Sequence, residues 1–367
     1  NTGATGLLIG QPILHGPVPR TRQNLLLISI DTLRADHLGC YGYARDTSPF
    51  LDRLAAPGVL FRDCSSAAPF TLPAHATLLT GLMPNRHGAI DDASRIDARA
   101  LAYLPRLLAA DGYATAAFVG GGYLSGDFGF HPGFDRFVAA DPIRPTQGVG
   151  IAKTLPPQTP SSLDDVSAWI NERGDEPWFV LLHTYAAHDY FVPKEHFEQF
   201  DRGGDGAWRQ RLWRIPGPDL VTPETPPADD DLRYIEDLYD AGIHLVDAAL
   251  ERFITTLDER HQLDDTLVAI TSDHGEEFLD HGRLGHGVTL YREMLHVPLL
   301  VRGPGIPPHR VDQPVHHADL LPTLLELLGT PVPDGLDGHS RLRELRSVQP
   351  LDDTLHTPLF AEVDTPR

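Results

Sequence analysis

Sulfur and lysine are scarce in this chain. Its 367 residues include two cysteines (Cys40 and Cys64), two methionines and two lysines (Lys153 and Lys194). Two cysteines allow at most one disulfide, which excludes a disulfide-built scaffold. The 30 basic residues, nearly all arginine, are outnumbered by 51 acidic ones, for a net charge of −21. That balance excludes nucleic acid as a partner, because a phosphate backbone needs a positive footprint. It leaves room for an anionic small substrate, since a bound metal ion reverses the local field. Also missing is any run of about 18 apolar residues, so no transmembrane segment is expected. The chain opens at Asn1 rather than Met. An upstream segment, a signal peptide or membrane anchor, is therefore expected to have been removed. The compartment stays open: periplasm, cell exterior, an anchored ectodomain or cytoplasm.

What the sequence does have is a series of buried-strand signals. "NLLLISID" (24–31), "YATAAFVGG" (113–121), "WFVLLHTY" (178–185), "TLVAITSDHG" (266–275) and "HVPLLVRGPG" (296–305) are continuous apolar runs. Helical stretches are expected between them, at 49–56, 74–81, 101–111, 162–172, 233–258 and 318–329. This alternation predicts an α/β fold with a mainly parallel β-sheet covered by helices on both faces. Residues 1–22 read as an irregular lead-in and 23–367 as one domain. "TLPPQTPSS" (154–162) reads as a surface loop. The Pro- and Asp-rich stretch 203–231 reads equally as a lid or as an exposed insertion.

Three of the apolar runs end in polar groups: Asp31, then His183 and His188, then Asp273-His274. In an open parallel sheet all carboxyl ends share one edge, where ligands bind. Each group alone reads as a turn residue or a helix cap. Their joint occurrence points to a cluster of acids and imidazoles that repel one another unless a cation sits between them. Oxygen-dominated ligands suit Ca²⁺, Mg²⁺ or Mn²⁺, and the imidazole keeps Zn²⁺ open.

The stretch "FTLPAHATLLTG" (70–81) adds a hydroxyl. Pro73 suits the first position of a helix. Thr71 then precedes that helix, where exposed N–H groups and the positive dipole end favour an anionic oxygen. The plainer reading is a Thr cap contributing about 1 kcal/mol. His87 reads as a structural turn residue, His281 as exposed, and His316-His317 as a cap or exposed pair. Glu276-Glu277 reads as a helix start.

Taken in order, "NLLLISIDTLRADHLGCYGY", "TSPFLDRLA", "TLPAHATLLTG", "SDHGEEFLDHG" and "GHGVTLYREMLHVPLLVRGPG" resemble the sulfatase family of the alkaline phosphatase superfamily. The resemblance implies an α/β fold with a central, mostly parallel mixed β-sheet flanked by helices, one divalent metal ion, and hydrolysis of sulfate or phosphate esters. Asp31, Asp273 and His274 match the family's metal ligands. Thr71 matches its catalytic residue, which also contacts the metal. His75 falls where the usual motif has Arg. His188 resembles the His that meets the substrate anion or leaving group, and His286 falls near a second active-site Lys or His. Arg34 and His183 line the pocket.

Departures from the family pattern sharpen this. The usual motif opens with a Cys or Ser that becomes formylglycine; Thr71 stands there, so no formylglycine is expected. Thr32 replaces a second metal-binding Asp. The family's Lys/His pair has no counterpart in "FVGGGYL". The chain stops at "PLFAEVDTPR", where members continue into a C-terminal subdomain. Superfamily phosphoglycerol transferases use Thr as nucleophile, so Thr71 favours phosphate mono- or diesters, or phosphoryl-group transfer. Sulfate esters remain the family's default, the substrate being a small-molecule or glycan ester. The alternative is a degenerate, non-catalytic member that binds sulfated or phosphorylated glycans. Retention of Asp31 and "SDHG" argues against it, because buried acids without a metal are costly.

Overall fold

The backbone is built on parallel strands whose residues are buried on both faces, which is why they read as unbroken apolar runs. A computed structural model describes residues 22–120, 122–140, 163–188, 190, 192–203, 227–348 and 360–363. Its strands are β1 (Asn24–Ile30), β2 (Val59–Ser65), β3 (Ala114–Val119), β4 (Arg136–Ala139), β5 (Trp178–Thr184) and β6 (Thr266–Thr271). Then come β7 (Glu277–Phe278), β8 (Leu284–Gly285), β9 (His296–Arg302), β10 (His309–Val311) and β11 (Val315–His316). Nine of them form one sheet in the order β10-β2-β9-β6-β1-β5-β3-β4, with β11 also on β2. Within this sheet, among the described residues, only the two pairings made by β9 are antiparallel. The expected mixed, mostly parallel sheet is present. β7 and β8 form a separate two-stranded hairpin.

Register divides the core in two. On β1, Leu25 and Leu27 face one way and join Phe179, Leu181, Leu267 and the Thr71–Thr80 and Leu320–Leu328 helices. Leu26, Ile28 and Ile30 face the other way, toward the Pro49–Ala55, Leu163–Asn171 and Asp229–Glu259 helices. The sheet is thus covered on both sides. Of the sequence expectations, the lead-in and the 154–162 loop fall almost wholly outside the described residues, as does most of 203–231.

Three local readings are corrected. The helix after β2 starts at Thr71, with Phe70 as its N-cap. Pro73 is therefore its third residue, tolerated because the first N–H groups of a helix have no intrahelical acceptor. Glu276-Glu277 do not start a helix: Glu277 opens β7. His317 is not exposed but fully buried, while His316 does cap the turn it precedes.

His87 closes a short helix, Pro84–His87, behind the Thr71–Thr80 helix. Its Nε2 lies 3.1 Å from Thr77 Oγ1, and its Nδ1 accepts from the Ala89 N–H at 3.1 Å. Burial pushes its pKa down to about 4. The native state therefore takes up a proton later than the unfolded chain does. Stability linked to His87 is complete above pH 6.5 and lost as pH falls toward 4, up to about 3 kcal/mol. Urea midpoints measured from pH 7 to 4.5 are expected to fall less steeply for His87→Gln than for the wild type.

Candidate active site

The carboxyl edge of the sheet gathers the site. β1 delivers Asp31, β5 delivers His183, and β6 delivers Asp273 and His274. β2 ends at Ser65 on the same edge and leads into the helix headed by Thr71. All five are buried, with exposures of 0–2%. Asp31, Asp273 and His274 offer ligand atoms within 4.8 Å of one another, and so do His75, His183 and Asp273.

Backbone geometry aims these groups. Thr32 adopts φ +58°, rare for a β-branched residue. That turn points the Thr32 N–H at Asp273 Oδ1, 3.2 Å away. The Tyr239 hydroxyl secures the turn by donating to Thr32 O at 2.6 Å. Such strain costs on the order of 1 kcal/mol or more and persists where surrounding contacts enforce it. Gly275 follows His274 because nothing larger fits: a Cβ there would lie 1.9 Å from Glu293 O.

Hydrogen bonds fix the imidazole tautomers. The carbonyl of Gly275, 2.9 Å from His274 Nδ1, makes that nitrogen the donor. Nε2 is then a lone pair, 3.4 Å from Asp273 Oδ2 and 3.9 Å from Asp31 Oδ1. Burial pushes His274 down to about 4, so it is neutral at pH 7. His183 accepts the Gly120 N–H at Nδ1 and donates from Nε2 to Asp31 Oδ2, 3.2 Å away. His75 donates from Nδ1 to Thr71 O at 2.9 Å and lies 2.9 Å from Ser29 Oγ through Nε2. Its Nδ1 also lies 3.6 Å from Asp273 Oδ2. For Asp273, burial raises the pKa, but the imidazoles of His274, His75 and His183 outweigh it and hold the carboxyl below its usual range.

Thr71 Oγ1 sits 3.3 Å from both Asp31 Oδ2 and His274 Nε2, and makes no capping contact. The cap reading for Thr71 is thereby replaced. A lone pair on His274 faces two carboxylates, and Asp273 Oδ2, although fully buried, accepts no hydrogen bond from the described residues. A cation removes that repulsion. The donor set of carboxylate oxygens, a hydroxyl and one neutral imidazole fits a divalent ion.

His286 and His188 complete the cluster: the His286 ring lies 4.7 Å from His274 and 5.0 Å from His188. His286 Nδ1 lies 3.2 Å from Glu276 Oε1. Glu276 is 1% exposed, and the imidazole of His286 offsets its burial and holds it below the usual carboxylate range. Sequence reasoning missed Glu276; its one signal was an acid two residues past His274. Arg34, buried among Asp36, Asp280 and Glu276 O, braces this segment.

Fold and cluster together define an α/β enzyme with a buried acid–imidazole centre at the carboxyl edge of its sheet. Residues 23–330 match the family model described as Sulfatase. The chain belongs to the sulfatase family, and it is an ester hydrolase of that type. It is 26% identical over 364 residues to the uncharacterized sulfatase YidJ of Escherichia coli, covering 88% of this chain and 71% of that protein. It is 27% identical over 426 residues to the multifunctional alkaline phosphatase superfamily protein PehA of Trinickia caryophylli, with coverages of 94% and 80%. Its fold matches the phosphonate monoester hydrolase of Agrobacterium radiobacter with a TM-score of 0.72 at 26% identity, over 90% of this chain and 78% of that one. Among the described residues no helix is long and apolar enough to cross a membrane.

Proposed function

We propose that this chain hydrolyses phosphate or sulfate esters through Thr71 as nucleophile, with phosphomono- and phosphodiesters or phosphoryl-group transfer favoured. One observation carries the reading: Thr71 Oγ1 lies inside the acid–imidazole cluster, equidistant from Asp31 and His274. Similarity to PehA and to a phosphonate monoester hydrolase supports keeping phosphorus esters beside sulfate esters. Asp31, Asp273, His274 and Thr71 would hold one divalent ion, Ca²⁺, Mg²⁺, Mn²⁺ or Zn²⁺. Such an ion polarises the ester oxygen and lowers the pKa of a neighbouring hydroxyl.

The chain's own groups do the rest. Thr71 Oγ1 gives up the proton it shares with Asp31 Oδ2 and attacks phosphorus or sulfur in line. The ester oxygen leaves with a proton from His286 or His188. Water then cleaves the Thr71 ester and restores the hydroxyl. His75 positions the nucleophile by binding Thr71 O. Glu276 fixes His286 by taking its Nδ1–H, which holds the ring beside those of His274 and His188.

The test is a panel of chromogenic sulfate, phosphate monoester, phosphodiester and phosphonate substrates, each with Ca²⁺, Mg²⁺, Mn²⁺ and Zn²⁺. Turnover of phosphorus esters above sulfate esters is expected. A clear preference for sulfate would reverse the substrate assignment. For Glu276→Gln, kcat on alkyl phosphates is expected to fall about 10- to 100-fold with KM little changed, and less on p-nitrophenyl phosphate, whose leaving group needs no proton. Equal losses on both substrates would reduce Glu276 to a structural role.

A further inference from the structure

A second group of metal-ligating side chains lies apart from the Asp31–Asp273–His274 centre. Glu277 on β7, His281 in the hairpin turn and Glu293 in the short Arg292–Leu295 helix bring ligand atoms within 4.8 Å of one another. Its two carboxylates are buried, Glu277 1% and Glu293 9% exposed, and the exposed His281 closes the group on the solvent side. His281 Nδ1 lies 2.5 Å from Glu293 Oε1. Its ring is held flat on Tyr291, with centroids 3.6 Å apart and planes 7° from parallel. Glu277 Oε2 accepts from Thr289 Oγ1 at 2.8 Å, but Glu277 Oε1 is buried with no hydrogen-bond donor among the described residues.

That orphan oxygen is the informative atom. A buried carboxylate oxygen without a donor costs about 1–3 kcal/mol. Here a second buried carboxylate, Glu293, adds repulsion, and burial with that neighbour raises the Glu277 pKa. The positive group acting on Glu277 is Arg283, opposed by Asp280. The two carboxylates together carry a charge of −2, which one divalent ion cancels, and the His281 imidazole supplies a third ligand atom. We propose that Glu277, His281 and Glu293 form a second divalent-cation site, distinct from the catalytic centre. Two carboxylates with one imidazole suit Mn²⁺ or Zn²⁺ better than Ca²⁺ or Mg²⁺, whose shells are built of oxygen.

Its place in the fold gives it a role. The hairpin it clamps carries Glu276 at one end and His286 at the other. The Arg292–Leu295 helix is already joined to the catalytic segment, where the Gly275 N–H donates to Met294 O at 2.7 Å. A cation on Glu277, His281 and Glu293 staples that hairpin to the lead-in of β9. It thereby steadies His286 without touching substrate.

The test counts metal. Chelator-stripped protein is equilibrated with Mn²⁺ or Zn²⁺, passed over a desalting column and analysed by mass spectrometry of the elements. Wild type is expected to hold two ions per chain, Glu277→Gln and His281→Ala one each, Asp273→Asn one, and Asp273→Asn with Glu277→Gln none. Glu277→Gln keeps the side-chain volume; circular dichroism and an unfolding scan check that each variant folds. One ion in wild type, lost in Asp273→Asn but kept in Glu277→Gln, overturns this proposal and leaves the catalytic reading standing. One ion kept in Asp273→Asn and lost in Glu277→Gln does the reverse. No retained ion in wild type overturns both.

Discussion

Thr71→Ala is expected to lower kcat on aryl phosphate, phosphonate and sulfate esters by at least about 10⁴-fold while leaving the fold intact and metal bound by Asp31, Asp273 and His274, though less tightly. The magnitude follows from the role: losing a covalent nucleophile removes the low-barrier route, whereas losing a cap removes about 1 kcal/mol of stability. The fold is expected to survive because Phe70, not Thr71, occupies the N-cap position and the Thr71 side chain makes no capping contact. Thr71→Ser retains the hydroxyl and loses only a methyl group. It should keep measurable turnover, separating the oxygen's chemistry from the packing of a residue that is 2% exposed. Rapid acid quench of wild type on a slow phosphate ester should trap an O-phosphothreonine in the peptide containing Thr71. Thr71→Ala turnover within about tenfold of wild type would instead make water the attacking group.

The sheet was legible wherever burial on both faces left an unbroken apolar run, as in β1, β3, β5, β6 and β9. β2 was not. Its second half carries Arg62 and Asp63, and its register shifts between Phe61 and Cys64, so neither a continuous run nor a clean alternation survives. β10 and β11, of three and two residues, are too short to show any period. Expecting acids to meet at one sheet edge needed only topology, and Asp31, Asp273 and His274 do converge there. The start of the Thr71 helix was misplaced because Pro73 favours a first position, yet a third position leaves its missing N–H equally harmless. Glu276-Glu277 mimic the acidic first turn of a helix. The chain instead turns back at Leu279 (φ +65°) and Gly282 (φ +81°), a choice made by the hairpin's packing rather than by local preference. His317 shows the same limit: one imidazole inside "HHADLLPTLL" gives no local sign that its neighbours will bury it completely.

Asp273→Asn is expected to weaken divalent-ion binding at the catalytic centre at least about 100-fold and to abolish turnover with it. The substitution changes charge with almost no change in shape, so the geometry of this one side chain decides the outcome. Asp273 Oδ1 accepts from the N–H groups of Thr32 at 3.2 Å and His274 at 2.9 Å. An asparagine must present its carbonyl oxygen to those donors, which sends its NH₂ to the place of Oδ2. That place lies 3.4 Å from the His274 Nε2 lone pair. The amide would donate where the aspartate offers negative charge, occupying the imidazole and repelling the ion. Without metal, the variant should therefore be at least as stable as wild type, because it relieves the crowding of Asp31, Asp273 and His274. With metal the order should invert. An ion at 100 times its dissociation constant adds about 2.7 kcal/mol to wild type and nothing comparable to the variant. Unfolding scans with and without Mn²⁺, run in a Glu277→Gln background so that only the catalytic centre responds, measure both halves of this expectation. An equal metal-induced rise in both proteins would show that Asp273 is not a ligand, and the close approach of its carboxylate to His274 would then need another cause.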